Sequence, residues 1–315
     1  MKKKVIIIGG AGFIGKNLSR YLSNQNIKVK IIDKYIENIS VDPNFYQNMK
    51  IGQVDVNETS KIIDHLEDYE NIIWLVHNSV PSNSMLDISN DLINNIIPLI
   101  NFLNRIKDNP NIEKFIFLSS GGTVYGNQII EKPIKETDEI NPVSNYGLTK
   151  NIAEKYIKLL LQSSNISSFI LRPSNVYGTD QNLNKPQGII GHAFKAALNN
   201  HQLFLYNNGK IIRDFIHVND LSDAILKCII NITPKSSFFT YNIGSGEAMS
   251  MNNVIELINK ITNKKILTIN KPKRSFDCNY NVLDCSKLKN EYNWKPKIIF
   301  KDGLISVYDW IKNIE

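Results

Sequence analysis

The chain opens on a short apolar run, Val5-Ile6-Ile7-Ile8, preceded by lysines and cut off by Gly9-Gly10. Similar runs recur at Lys28–Ile32, which ends at Asp33, and at Lys50–Val54, Asn71–Val76, Lys114–Leu118 and Ser168–Leu171. Each is short and apolar at consecutive rather than alternate positions, as expected of strands buried on both faces. Between them lie stretches with helical spacing. Phe13–Ser23 carries Ile14, Leu18, Tyr21 and Leu22, then come Lys61–Leu66 and Leu92–Ile106, and Tyr146–Leu161 carries Ile152, Tyr156, Leu159 and Leu160 on one side. This alternation predicts an α/β fold, a doubly wound parallel sheet with helices on both faces. Ligands of such sheets bind beyond the C-terminal strand ends. Asp33, Asp55, residues 119–123 and residues 172–175 are therefore expected to face one crevice.

After Arg172 the pattern loses its regularity, and Gly, Pro and Asn crowd the stretch from Gly178 to Gly188. We expect residues 1–172 to form the cofactor-binding unit. Residues 173–315 should form mainly a smaller C-terminal substrate-binding lobe, with segments around 211–243 returning to the sheet.

Composition narrows the partners. The 315 residues exceed what one small core requires. The formal net charge is +7, but the lysines are scattered among Asn and Ile, which fits a solvated surface and no nucleic-acid partner. Cys228, Cys278 and Cys285 have no Cys-x-x-Cys spacing, so neither a disulfide framework nor a metal site is expected, and a reducing compartment, the cytoplasm, is. The basic start Met1–Lys4 before Val5–Ile8 imitates a leader, but the apolar run is too short and reads as a first buried strand. No stretch has the length of a membrane span.

Two motifs carry chemistry. Gly9-Gly10-Ala11-Gly12-Phe13-Ile14-Gly15 joins the first strand to the first helix, and Asp33 closes the next strand. Glycines there permit a tight turn and close approach of a pyrophosphate to a helix N-terminus, while a carboxylate at Asp33 receives ribose hydroxyls and repels a 2′-phosphate. The expected cofactor is NAD rather than NADP, with Lys34 the one residue against it. Tyr146 and Lys150 stand one helical turn apart. A free phenol has a pKa of about 10, and a neighbouring ammonium favours its ionised form. The pair thus suits proton abstraction beside a nicotinamide.

With these motifs the chain resembles the extended short-chain dehydrogenase/reductases, specifically the nucleotide-sugar epimerase/dehydratase family. Further matches are Asp55-Val56, Ser119-Ser120-Gly121-Gly122-Thr123-Val124-Tyr125-Gly126, Arg172-Pro173-Ser174-Asn175-Val176-Tyr177-Gly178, Arg213-Asp214-Phe215-Ile216-His217, Tyr241-Asn242-Ile243-Gly244 and Trp294-Lys295-Pro296. The resemblance implies cofactor contacts from Gly9, Gly12, Phe13, Ile14, Gly15, Asp33, Asp55, Val56, Tyr146 and Lys150. It implies that Asn175, Arg213 and Arg274 grip the diphosphate of a nucleotide sugar, which suits the forked donors of arginine. His217 is expected to be structural. A homodimer packed through the Leu92–Ile106 and Tyr146–Leu161 helices is also implied.

Two departures stand out. Gly121 occupies the usual place of a catalytic Ser or Thr, so the hydroxyl must come from Thr123 or Ser120, and Thr123 is favoured. Trp74-Leu75-Val76-His77 replaces a stretch usually reading His-Leu-Ala-Ala. The shared chemistry is hydride removal from a sugar C4 while Tyr146 takes the hydroxyl proton. The residues after Ser120 carry no carboxylate, which disfavours dehydration and decarboxylation. A 4-epimerase of a UDP-hexose or UDP-N-acetylhexosamine is expected, with a reductase of a nucleotide-linked 4-keto-6-deoxy sugar as the alternative. By its distance from Arg274, Asn281 is expected on the pocket wall, leaving room for an N-acetyl group.

Overall fold

Residues Val5 to Ile8 are completely buried, as the apolar run requires. In the computed structural model, which describes residues 3–39, 49–82, 84–128, 130–184, 188–274 and 276–314, they form strand β1 (Lys4–Ile8) at the centre of a sheet. Met1, Lys2 and Ser275 lie outside the described residues. The first half continues through α1 (Phe13–Asn24), β2 (Lys28–Asp33), β3 (Lys50–Gln53), α2 (Thr59–Asp64), β4 (Asn71–Trp74), α3 (Ile88–Ile106), β5 (Lys114–Leu118), the short α4 (Gly121–Val124), α5 (Asn145–Leu161) and β6 (Ser167–Pro173). The second half runs β7 (Asn175–Tyr177), α6 (Ile189–Asn199), β8 (Gln202–Tyr206), β9 (Ile212–Arg213), β10 (Phe215–His217), α7 (Val218–Ile230), β11 (Phe238–Ile243), β12 (Met249–Ser250), α8 (Met251–Thr262), β13 (Leu267–Lys271), β14 (Tyr280–Asn281), α9 (Ser286–Tyr292) and α10 (Phe300–Ile314).

Seven strands pair in parallel in the order β11-β6-β5-β4-β1-β2-β3. The pleat sends alternate residues to opposite faces. Val5 and Ile7 join Leu18 and Leu22 of α1 and Leu221, Ile225 and Ile229 of α7 in one layer. Ile6 and Ile8 join Leu99, Phe102 and Leu103 of α3 and Ala153 and Ile157 of α5 in the other. Each such Val, Leu, Ile or Phe side chain contributes about 1.5–3 kcal/mol by leaving water. The order reverses between β1 and β4, the switch point where a crevice opens.

Several element boundaries shift by one to four residues from the sequence reading, and two of the shifts are the most informative. Helix α3 begins at Ile88, not Leu92, because Asp87 caps it by accepting from Asn90 N at 2.9 Å. The strand read as 71–76 ends at Trp74, although Leu75 N still donates to Ile8 O at 2.9 Å. Residues 218–243 rejoin the sheet layer, with α7 against α1 and β11 beside β6. The lobe has its own core, in which Ala193 and Phe194 of α6, Val254 and Ile258 of α8 and Leu304 and Val307 of α10 meet.

Candidate active site

A cleft of about 920 Å³ separates the strand ends from the lobe. Gly9, Gly12, Phe13, Ile14 and Gly15 line one end of it. Helix α1 starts at Gly12 with no side-chain cap and no acid in its first turn, so its leading N–H groups face the cleft as anion donors. A Cβ on Gly15 would lie 2.5 Å from Gly10 Cα, so the helix can sit this close to the turn only with glycine there. This cradle fits a dinucleotide pyrophosphate. Asp33 ends β2 and its carboxylate accepts from Ala11 N at 2.9 Å and Tyr35 N at 3.0 Å. Lys34 is turned to Asp55, 2.7 Å away, which draws its charge away from a 2′-phosphate beside Asp33. Asp55 and Val56 follow β3 and are not among the residues lining the cleft.

Tyr146 and Lys150 sit on the first turns of α5, whose N-cap Ser144 accepts from Gly147 N. Tyr146 is half-buried in the cleft wall. Burial, with a smaller push from Asp91, lifts its phenol to about 12, against which the neighbouring Ser120 hydroxyl favours the ionised form. Burial lowers the Lys150 ammonium to about 7, while Glu154 and Asp91 pull it back up. Lys150 Nζ donates to Leu118 O at 2.7 Å and lies 5.8 Å from the centre of the Tyr146 ring. Thr123 lines the cleft, and its buried hydroxyl has no hydrogen-bond partner among the described residues.

The residue type at 121 has a steric cause. A Cβ on Gly121 would stand 2.6 Å from Leu283 Cδ1 and 2.8 Å from Arg172 O, and the residue is not part of the cleft wall. A side chain there would point into the protein. The hydroxyls that line the cleft here are Ser120 and Thr123.

Arg213, Arg274 and Asn175 line the far end. Arg213 donates to Ile212 O and Cys278 O at 2.9 and 2.8 Å. Burial chiefly, and the Arg274 charge besides, press its pKa down, so an anion between the two guanidiniums would relieve both. Arg274 is held between the Tyr206 and Phe276 rings, 4.0 and 4.7 Å from their centres, and forks onto Asp277. Asn175 Nδ2 donates to Asp214 O at 2.9 Å. His217 caps α7 by accepting from Asn219 N and does not line the cleft. Asn281 corrects the expectation of a pocket wall. It is fully buried, lies outside the cleft, and donates from Nδ2 to Gly121 O at 3.0 Å. The pairing of β14 with β9 turns it under α4 instead.

Three features escaped the sequence reading. Asp91 of α3 is buried and accepts from Asn95, Asn145 and Thr149, tying α3 to the start of α5. Glu154 is forked by Arg172, which also donates to the Tyr125 hydroxyl at 2.9 Å. His77 touches Tyr146 directly. Nothing in the pattern marks either helical acid as buried, and His77 stood out only as a departure. Among the described residues the carboxylates lining the cleft are Glu37, Asp180 and Asp277. Asp180 is paired with Lys16 and Arg20, Asp277 with Arg274, and Glu37 follows β2 at the cradle end.

Residues 5–244 match the family model described as the NAD dependent epimerase/dehydratase family. The dTDP-4-dehydro-6-deoxyglucose reductase of Escherichia coli is 30% identical over 96% of this chain and 96% of its own. The UDP-glucose 4-epimerase of Lactobacillus helveticus is 28% identical over 98% and 97%. Among solved structures, the UDP-N-acetylglucosamine 4-epimerase of Methanobrevibacter ruminantium, in complex with UDP-N-acetylmuramic acid, superposes with a TM-score of 0.89 at 28% identity over 100% of both chains.

Proposed function

Because the chain belongs to the NAD-dependent epimerase/dehydratase family, we propose that it interconverts nucleotide sugars epimeric at C4, with UDP-hexoses or UDP-N-acetylhexosamines as substrates. The observation that carries this reading is the Tyr146 phenol and the Ser120 hydroxyl in one cleft wall with Lys150 beneath, together with a pyrophosphate cradle and two arginines. Tyr146 takes the C4 hydroxyl proton as the sugar is oxidised and returns it as the 4-keto sugar is reduced on its other face. Bound NAD supplies the two-electron acceptor and donor, and its oxidised ring adds a positive charge that favours phenolate. Gly9, Gly12, Phe13, Ile14 and Gly15 hold its pyrophosphate, Asp33 its ribose, and Asp55 and Val56 the adenine side. Lys150 steadies the phenolate. Thr123 offers its unpartnered hydroxyl to the sugar, and Arg213, Arg274 and Asn175 hold the diphosphate. Among the described residues Asp91, whose charge reaches the Tyr146 phenol, does not line the cleft, and the cleft carboxylates Asp180 and Asp277 are paired with cations, which supports epimerisation over dehydration.

Residues 1–172 serve as the cofactor unit and 173–315 mainly as the substrate lobe. With Asn281 outside the cleft, the support for an N-acetylated substrate is the likeness to the UDP-N-acetylglucosamine 4-epimerase. Exposed apolar residues on α3 and α5, Ile93, Ile97, Leu148 and Leu159, support a homodimer through these helices, and the free cysteines Cys228, Cys278 and Cys285 support a reducing compartment, the cytoplasm. A second reading, reduction of a nucleotide-linked 4-keto-6-deoxy sugar, is supported by the likeness to the Escherichia coli reductase.

The test is turnover without added cofactor. The purified protein is incubated with UDP-glucose and, separately, UDP-N-acetylglucosamine, and the products are read by NMR. A mixture of C4 epimers supports the proposal. No product from either, with NADH consumed on a 4-keto-6-deoxy substrate, moves the assignment to the reductase.

A further inference from the structure

The chemistry above makes no use of His77. It follows β4 into the cleft wall, and its ring meets the Tyr146 ring edge to face, with centroids 4.6 Å apart and planes at 77°. Its Nε2 lies 3.1 Å from Ser79 Oγ, which fixes the ring about its own axis. Burial first, and the Lys150 charge second, hold its pKa well below the ordinary histidine value, so the imidazole is neutral at neutral pH. It is therefore poorly suited to be a second acid, and its contact with Tyr146 is through rings, not through a hydrogen bond. Edge-to-face pairs of this kind are worth about 0.5–1.5 kcal/mol beyond their burial and are directional.

We propose that His77 is a positioning residue for Tyr146: anchored by Ser79, its imidazole closes one side of the phenol ring, excludes water there and holds the hydroxyl toward Ser120 and the reacting C4 oxygen. The inference rests on Tyr146 being the proton-transfer group. The groups that face the phenol come from four elements: Lys150 from α5 itself, with Glu154 behind it; Asp91 from α3; Ser120 after β5; and His77 after β4. Since His77 is neutral, replacing it leaves the charge of this set unchanged, and any shift in Tyr146 titration reports hydration and geometry.

The test compares H77A, H77F and Y146F as NAD-loaded proteins, measuring kcat, KM and the pH profile of kcat/KM. H77A admits water beside the phenol, which removes part of the burial that lifts its pKa. Its acid limb should move to lower pH, and misalignment should lower kcat about tenfold with KM little changed. H77F keeps the ring and should retain both the limb and most of kcat. A wild-type kcat and profile in H77A would overturn the inference, as would an H77F as impaired as H77A. Y146F turning over near the wild-type rate would instead remove the assignment of Tyr146 on which it stands.

Discussion

Replacing Gly121 by serine would restore the residue type expected at that position by resemblance, yet the structure predicts a loss. The new Cβ would meet Leu283 Cδ1 at 2.6 Å and Arg172 O at 2.8 Å. Leu283 is itself buried against Val124, Tyr125 and Ile134, so its tip has little room to give. The Arg172 carbonyl belongs to β6, and its side chain is locked by Glu154 and Tyr125. Overpacking of this kind costs about 1–3 kcal/mol. At about 2–4 °C per kcal/mol for chains of this class, G121S should melt about 2–12 °C below the parent. It should also fail to restore turnover in a T123V background, because the added hydroxyl points toward Leu283 rather than the cleft. The assays are calorimetric melting of the NAD-loaded protein and turnover of T123V against G121S/T123V. A G121S that melts with the parent and rescues T123V would refute the reasoning.

Other outcomes follow from the same geometry. K150M removes the ammonium nearest the phenol and should lower turnover by roughly 10²- to 10⁴-fold while moving the acid limb of the pH profile upward, read in steady-state assays. His217 is held neutral by burial, its pKa lowered to about 4. Because that value lies below the unfolded one, the contribution to stability is complete above about pH 6.5 and is lost as pH falls through 4, on the order of 3 kcal/mol in all. Urea unfolding of H217N across this window should show a shallower acid dependence than the parent. Lys114 is buried, and its Nζ donates to Cys228 O and Ile229 O at 2.8 Å and to Asn231 O at 2.6 Å, closing the end of α7. K114M leaves these carbonyls unpaired and should cost about 2–4 kcal/mol in denaturant unfolding, with NAD binding unchanged by titration.

The sheet was legible because its strands are continuous apolar runs, and the cradle because a Gly-rich turn between a strand and a helix has few other uses. Tyr146 and Lys150 were legible through helical spacing. What escaped depends on which face a side chain takes after the chain leaves the sheet. Asn281 was placed by counting from Arg274, but the pairing of β14 with β9 turns it beneath Gly121. Periodicity set the start of α3 at Leu92 because the first turn is polar, and the Asp87 cap that begins it leaves no hydrophobic trace. The sequence pattern says nothing of Asp91 and Glu154, because only the packing of α3 against α5, and of Arg172 beneath α5, buries them. The small paired strands of the lobe are two to five residues long, too short to carry a period.

The central claim is that one cofactor, kept in the cleft, oxidises and re-reduces the same sugar at C4. The most direct measurement uses UDP-N-acetylglucosamine and UDP-glucose deuterated at C4, incubated with the protein and an excess of unlabelled NADH in solution. The account predicts C4 epimers that retain deuterium at C4, with no label in the free dinucleotide. Loss of the label to the solution pool, or net NADH consumption accompanying product, would contradict it.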